Sequence, residues 1–174
     1  MIRRVTVLGA GSWGTALAVH LGRIGHEVRL WARDGALAAD ISERRANAVY
    51  LPDTLLPDSV LVTDAIADAL LDSELVISAI PSHGCRAVTR MAAPFISPGA
   101  TIVSATKGLE ADTLLRMSEV ITEELGPGPA IVVLSGPSFA IEVAQQLGCA
   151  PSTLYRHLPG GRTAIAESGM PAGT

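Results

Sequence analysis

The 174 residues carry 13 basic and 17 acidic side chains and a net charge of −4, which argues against a broad nucleic-acid footprint. Apolar residues make up 48% of the chain and aromatic ones 3%, so one domain with a core of Ala, Val, Leu and Ile is expected. No apolar run approaches the roughly 20 residues that cross a bilayer, Met1 leads into strand-like sequence rather than a signal peptide, and Cys85 and Cys149 form no disulfide framework; a soluble cytoplasmic protein is expected.

A strand over Arg4–Gly9 leads into a helix over Ser12–Ile24, which Gly25 stops. A second strand covers Glu27–Ala32, and Asp34 is placed to cap a helix running to Arg45. Asn47–Pro57 reads as a loop, with Pro52 and Pro57 as breakers. A short strand at Val60–Thr63 is followed by a helix over Ala65–Leu71, capped by Asp64. Glu74–Ile80 is a near-continuous apolar run, as a parallel strand covered on both faces requires. Then come a helix from His83 to Phe95, a strand at Thr101–Ala105, a helix at Asp112–Leu125, a strand at Ile131–Leu134 and a helix at Phe139–Leu147. Alternating strands and helices without internal repeats predict an α/β fold: a Rossmann-like, doubly wound parallel sheet over residues 1–144. Residues 145–174 form an atypical tail, turn-rich and poorly ordered from about Thr163.

The chemistry starts at Gly9-Ala-Gly11-Ser-Trp-Gly14, between the first strand and its helix. Gly9 permits a tight turn, Gly11 lacks the Cβ that would block a diphosphate, and Gly14 lets helix and strand pack closely. The helix N-terminus then offers unpaired N–H groups and a positive dipole end to phosphates. This spacing in this context predicts a dinucleotide site; the alternative is a glycine-rich turn without a ligand. At the end of the second strand, Arg33 suits a 2′-phosphate or an adenine face, and Asp34 one residue later serves as a helix cap. NADP is favoured over NAD on that basis, the alternative being an exposed surface Arg.

Lys107 is the only lysine in the chain. It follows an apolar strand, so it projects from the carboxyl edge of the sheet, where a cation suits a phosphate or a polarised carbonyl; otherwise it is a solvated loop lysine. Ser135-Gly-Pro-Ser138 also joins a strand to a helix and suits an anion, or else Ser138 is an ordinary N-cap. His20 reads as a tolerated semi-buried side chain, His26 as a turn residue, and His83 as a helix-terminal or solvated one. No metal-ligand spacing is present, and Ser82 and Ser138 lack the context of a hydrolase nucleophile.

Several stretches together resemble the bacterial-type NAD(P)-dependent glycerol-3-phosphate dehydrogenases: Gly9–Ala18, Trp31-Ala-Arg33, Asn47-Ala-Val-Tyr50-Leu-Pro52, Ala79-Ile-Pro-Ser82 with Arg86, Ser104-Ala-Thr-Lys107-Gly-Leu-Glu110, and Leu134-Ser-Gly136-Pro-Ser138-Phe-Ala140-Ile-Glu142-Val. The resemblance implies NADP or NAD as cofactor. It also implies an enzyme of glycerol-3-phosphate metabolism and phospholipid biosynthesis that oxidises sn-glycerol 3-phosphate to dihydroxyacetone phosphate. Ser12 and Trp13 would then lie against the diphosphate, and Arg33 and Tyr50 near the adenosine end. Lys107 would sit between cofactor and glycerol phosphate, Gly136 and Ser138 would line the substrate pocket, and Ala140 would touch the nicotinamide end. A homodimer is compatible with this reading.

The family's base is a lysine in a second, all-α domain, and Lys107 is already matched to an earlier motif. The expectation is therefore a truncated or fused chain without a catalytic residue. Residues 142–162 resemble the helix-turn-helix of serine recombinases, with Gly148 at the turn and Ser152-Thr-Leu-Tyr-Arg156 opening a second helix. A fused or frame-disrupted gene and a coincidental helix are the two explanations. The alternative functions are a nucleotide-binding module without turnover and a DNA-associated fusion, the latter weakened by the acidic charge and few basic groups.

Overall fold

The structure is a computed structural model and describes residues 2–134. Five crossovers connect six short strands, and the chain order gives β1 Arg4–Leu8, α1 Ser12–Arg23, β2 Glu27–Trp31, α2 Gly35–Arg44, β3 Ala46–Asn47, β4 Leu51–Leu55, β5 Val60–Thr63, α3 Ile66–Leu70, β6 Leu75–Ser78, α4 Ser82–Ala92, β7 Thr101–Ser104, α5 Met117–Leu125 and β8 Ala130–Val133. The main sheet has the order β5-β2-β1-β6-β7-β8 and every pairing in it is parallel.

Side-chain alternation explains why both faces are covered. Val5 and Val7 of β1, Val28 and Leu30 of β2 and Ile77 of β6 turn to one face, where Ala18 and Val19 of α1 and Ala38 and Ile41 of α2 close over them. Leu8, Trp31, Val76 and Ile102 turn to the other, against Leu70 of α3, Cys85 and Val88 of α4 and Val120 and Ile121 of α5. These are the two helical layers of a Rossmann-like α/β fold. The direction of strand addition reverses between β1 and β6, and a crevice opens beyond their carboxyl ends.

Four expectations about elements need correction. Residues 47–57 are not a plain loop: β3 and β4 pair antiparallel, Asn47 opposite Leu51. Asn47 Oδ1 accepts the Tyr50 N–H at 3.1 Å and closes the turn, and Pro52 is tolerated because a two-stranded ribbon has only edge strands. The helix expected over Asp112–Leu125 starts at Met117. Leu114 takes φ +58°, outside helical space, and the Glu119 carboxylate reaches back to accept the Arg116 N–H at 2.9 Å, which sets the start. Asp64 does not cap α3; the Ala65 N–H instead donates to Thr63 Oγ1 at 3.1 Å. The helix foreseen to Phe95 ends at Ala92 and continues as a 3-10 turn over Ala93–Phe95 around Pro94. His20 is exposed rather than semi-buried.

Among the described residues, no helix is long and apolar enough to cross a membrane, and no three His, Cys, Asp or Glu side chains gather as a metal site. Gly136, Ser138, Ala140, Cys149, the helix at Phe139–Leu147, the proposed helix-turn-helix and the tail lie outside the described residues.

Candidate functional site

The crevice at the carboxyl edge has a volume of about 630 Å³. Gly9, Gly11, Ser12, Trp13 and Tyr50 line it, and Arg33, after β2, and Lys107, after β7, line it on opposite sides of β1 and β6. Gly14 lies beneath, packed under Gly9. The structure thus gathers every sequence-predicted site residue that it describes.

The three glycines are required for different reasons. Gly9 has φ +110°, and a Cβ there would fall 2.8 Å from the Ala79 carbonyl oxygen. A Cβ on Gly14 would fall 1.8 Å from the Gly9 carbonyl oxygen. Both are demanded by the fold itself. Gly11 has an ordinary backbone, φ −74°, and a Cβ there would meet no protein atom within 4 Å. Neither conformation nor packing calls for glycine at position 11. Gly11 lines the crevice, so the open side of its backbone faces that space.

The charge around that position suits an anion. Gly11 is the N-cap of α1, which has no side-chain cap and no acidic residue in its first turn, so its terminal N–H groups and dipole face the crevice uncompensated. Asp34 is the carboxylate on the wall, and its Oδ1 accepts the Ala36 and Leu37 N–H groups at 2.9 and 3.2 Å as the cap of α2. Arg33, adjacent and exposed, lines the same wall. On the opposite side, Lys107 Nζ stands 5.9 Å from the centre of the Trp13 ring, a cation–π approach.

The loop carrying Lys107 is anchored from both sides. The Thr106 hydroxyl donates to the Ser78 carbonyl at 3.2 Å. Arg86 of α4 grips Glu110 bidentately, Nε to Oε1 at 2.7 Å and Nη2 to Oε2 at 2.8 Å. The same guanidinium reaches Glu123 and Glu124 of α5, each at 2.8 Å. The Arg86 guanidinium, aided by the Thr113 hydroxyl, lowers the Glu110 carboxyl to about 2. Burial pushes the Cys85 thiol up, so it stays a protonated core side chain.

Sequence reasoning missed several lining residues, among them Ala10, Leu37, Ile80 and Thr106, and it missed the role of Asn47. That side chain is fully buried beneath the glycine turn and touches it directly. Its place in Asn47-Ala-Val-Tyr50-Leu-Pro52 was the available signal.

The described geometry agrees with what the sequence is similar to. The family model described as "NAD-dependent glycerol-3-phosphate dehydrogenase N-terminus" matches residues 4–156. The glycerol-3-phosphate dehydrogenase [NAD(P)+] of Koribacter versatilis is 49% identical over 145 residues, which is 82% of this chain and 43% of that protein. Its counterpart in Thioalkalivibrio sulfidiphilus is 42% identical over 163 residues, 94% of this chain and 49% of the relative. The crystal structure of glycerol-3-phosphate dehydrogenase from Coxiella burnetii superposes with a TM-score of 0.74 at 34% identity, covering 83% of this chain and 44% of that one. The chain spans less than half the length of these relatives.

Proposed function

Because this chain belongs to the family of NAD-dependent glycerol-3-phosphate dehydrogenase amino-terminal domains, we propose that its crevice holds NAD(P) for the interconversion of sn-glycerol 3-phosphate and dihydroxyacetone phosphate. The observation that carries the proposal is Gly11, which lines the crevice at the N-cap of α1 and which neither backbone strain nor packing explains. The N–H groups opening α1 at Ser12 and Trp13 would hold the diphosphate. Arg33 would face a 2′-phosphate while Asp34 caps α2 through Oδ1; the arrangement favours NADP over NAD. Tyr50 would border the adenosine. Lys107 would hold the substrate phosphate or polarise the reacting carbonyl, within reach of Gly136, Ser138 and Ala140, whose roles are carried over from the family motif.

When bound, the nicotinamide supplies the hydride acceptor. The protein must also accept the hydroxyl proton, and the family assigns that step to a lysine of its all-α domain. Lys107, the only lysine in these 174 residues, is placed as a binding cation. We propose that Lys107 acts as a binding cation and not as that base, and that the reading extends to a small phosphorylated substrate and a cytoplasmic setting.

Calorimetric titration with NADPH tests the reading. Gly11→Val should weaken binding by about a hundredfold or more, since a branched side chain would occupy the diphosphate position, while the thermal midpoint stays unchanged because the space around Gly11 is open. Unchanged affinity would remove the diphosphate assignment.

A further inference from the structure

We propose that Asn47 is a positioning residue that sets the span of the diphosphate turn and ties it to the adenosine rim. The inference rests on the cofactor reading above. Asn47 lies on β3, 37 residues from Ala10 in sequence and fully buried. Its Nδ2 donates to the Ala10 carbonyl oxygen at 2.9 Å and to Thr15 Oγ1 at 2.8 Å. Ala10 precedes Gly11, and Thr15 follows Gly14. One amide group therefore holds both ends of the turn whose N–H groups face the crevice. Its Oδ1 accepts the N–H of Tyr50, at the crevice mouth, at 3.1 Å.

The chemistry of the partners fixes the orientation of the amide. A carbonyl can only accept and a backbone N–H can only donate, so Nδ2 must face Ala10 and Oδ1 must face Tyr50. An ionised aspartate at this position cannot donate to Ala10, and an apolar residue satisfies neither side. The hairpin is pinned again at its base, where the Arg45 guanidinium donates to the Val60 carbonyl at 2.9 Å and to the Pro57 carbonyl. Motion of the hairpin relative to the glycine turn is thus restrained at two points, and of these the Asn47 point bonds residues that line the crevice, Ala10 and Tyr50.

A double-mutant cycle read by NADPH titration tests this. Asn47→Asp, which keeps the acceptor for Tyr50 and loses the donor to Ala10, should weaken NADPH binding by about tenfold or more. Tyr50→Ala should weaken it several-fold in the parent but add little in the Asn47→Asp background, because the rim is already displaced. A merely structural role would lower the melting temperature, leave affinity per folded molecule unchanged and give additive effects. Thr15→Val, isosteric and lacking the acceptor, covers the case in which Asn47→Asp does not fold and should weaken NADPH binding about threefold. Affinities within twofold of the parent in the folded variants, or additivity with Tyr50→Ala, would overturn the proposal. Failure of the cofactor reading shows separately, as absent NADPH binding in the parent or insensitivity to Gly11→Val.

Discussion

Two turns at the carboxyl edge of one sheet face each other across the crevice, and they are built by opposite means. The turn after β1 contains no charged side chain between Gly9 and Gly14. It is held by the absence of Cβ atoms and by neutral hydrogen bonds, Gly9 N–H to the Trp31 carbonyl at 3.0 Å and Asn47 to either end. The turn after β7 carries Lys107 and is held by charge, through Arg86 and Glu110. The difference follows from what each turn would hold. A backbone that must approach a diphosphate closely has no room for side chains. A lysine that must stay aimed at an anion needs a loop fixed by something other than the lysine itself. The first turn should therefore be sensitive to added atoms, and the second to pH and ionic conditions.

Gly14→Ala gives the largest break in this comparison. Its Cβ would lie 1.8 Å from the Gly9 carbonyl oxygen, a backbone atom that cannot swing away as a side chain would. Either α1 shifts off β1 or the turn opens. Urea denaturation should show a loss of about 3 kcal/mol, the upper end of ordinary overpacking, and NADPH binding should be lost with it. Gly11→Val, three residues earlier, should affect binding alone. Equal stability losses in the two variants would show that open space at Gly11 is not what separates a packing glycine from a ligand glycine.

Arg33→Ala tests a smaller effect on the same side of the crevice. Arg33 is exposed, so its attraction for a 2′-phosphate is screened. NADPH affinity should fall about tenfold, as for loss of one charge-assisted hydrogen bond, with NADH affinity nearly unchanged. An equal fall for both cofactors would place Arg33 against a part of the ligand that they share.

The two turns also differ in how far the sequence disclosed them. Gly9, Gly11 and Gly14 could be read directly, because steric demands act between near neighbours and leave a fixed spacing. The near-continuous apolar run Glu74–Ile80 likewise announced a strand covered on both faces, and Lys107 could be placed at the sheet edge by its position after β7. Asn47 could not be assigned a role, since its donors reach residues 37 and 32 positions away and nothing local distinguishes a buried amide from a turn former. The Arg86–Glu110 grip spans 24 positions and was hidden for the same reason. The start of α5 was misplaced because Thr113 and Leu114 lie in a tight turn whose closure depends on Glu110, which accepts the Thr113 hydroxyl at 2.6 Å. Long-range polar contacts choose among conformations that local propensity leaves nearly equal.

The smallest effect separates the turns most cleanly, because it depends on a proton and not on a shape. In the folded chain Glu110 titrates at about 2, held down first by the Arg86 guanidinium and then by the Thr113 hydroxyl, against about 4.3 for a glutamate in an unfolded chain. The folded value is the lower one, so the native state binds this proton less readily than the unfolded state does. The contribution of Glu110 to stability is therefore fully present above about pH 4.3 and is lost as the pH falls toward 2. Glu110→Gln should lower the urea midpoint at neutral pH, and the gap from the parent should close progressively between about pH 4.5 and 2.5. Glu119, paired with Arg116 and also lowered to about 2, remains in both proteins and cancels from the difference. The glycine turn holds no titrating group in this range, so the stability lost in Gly14→Ala should be the same at both ends of the pH scan. A gap for Glu110→Gln that is independent of pH would mean that Glu110 holds the Lys107 turn by its shape alone, and the contrast between the two turns would then be lost.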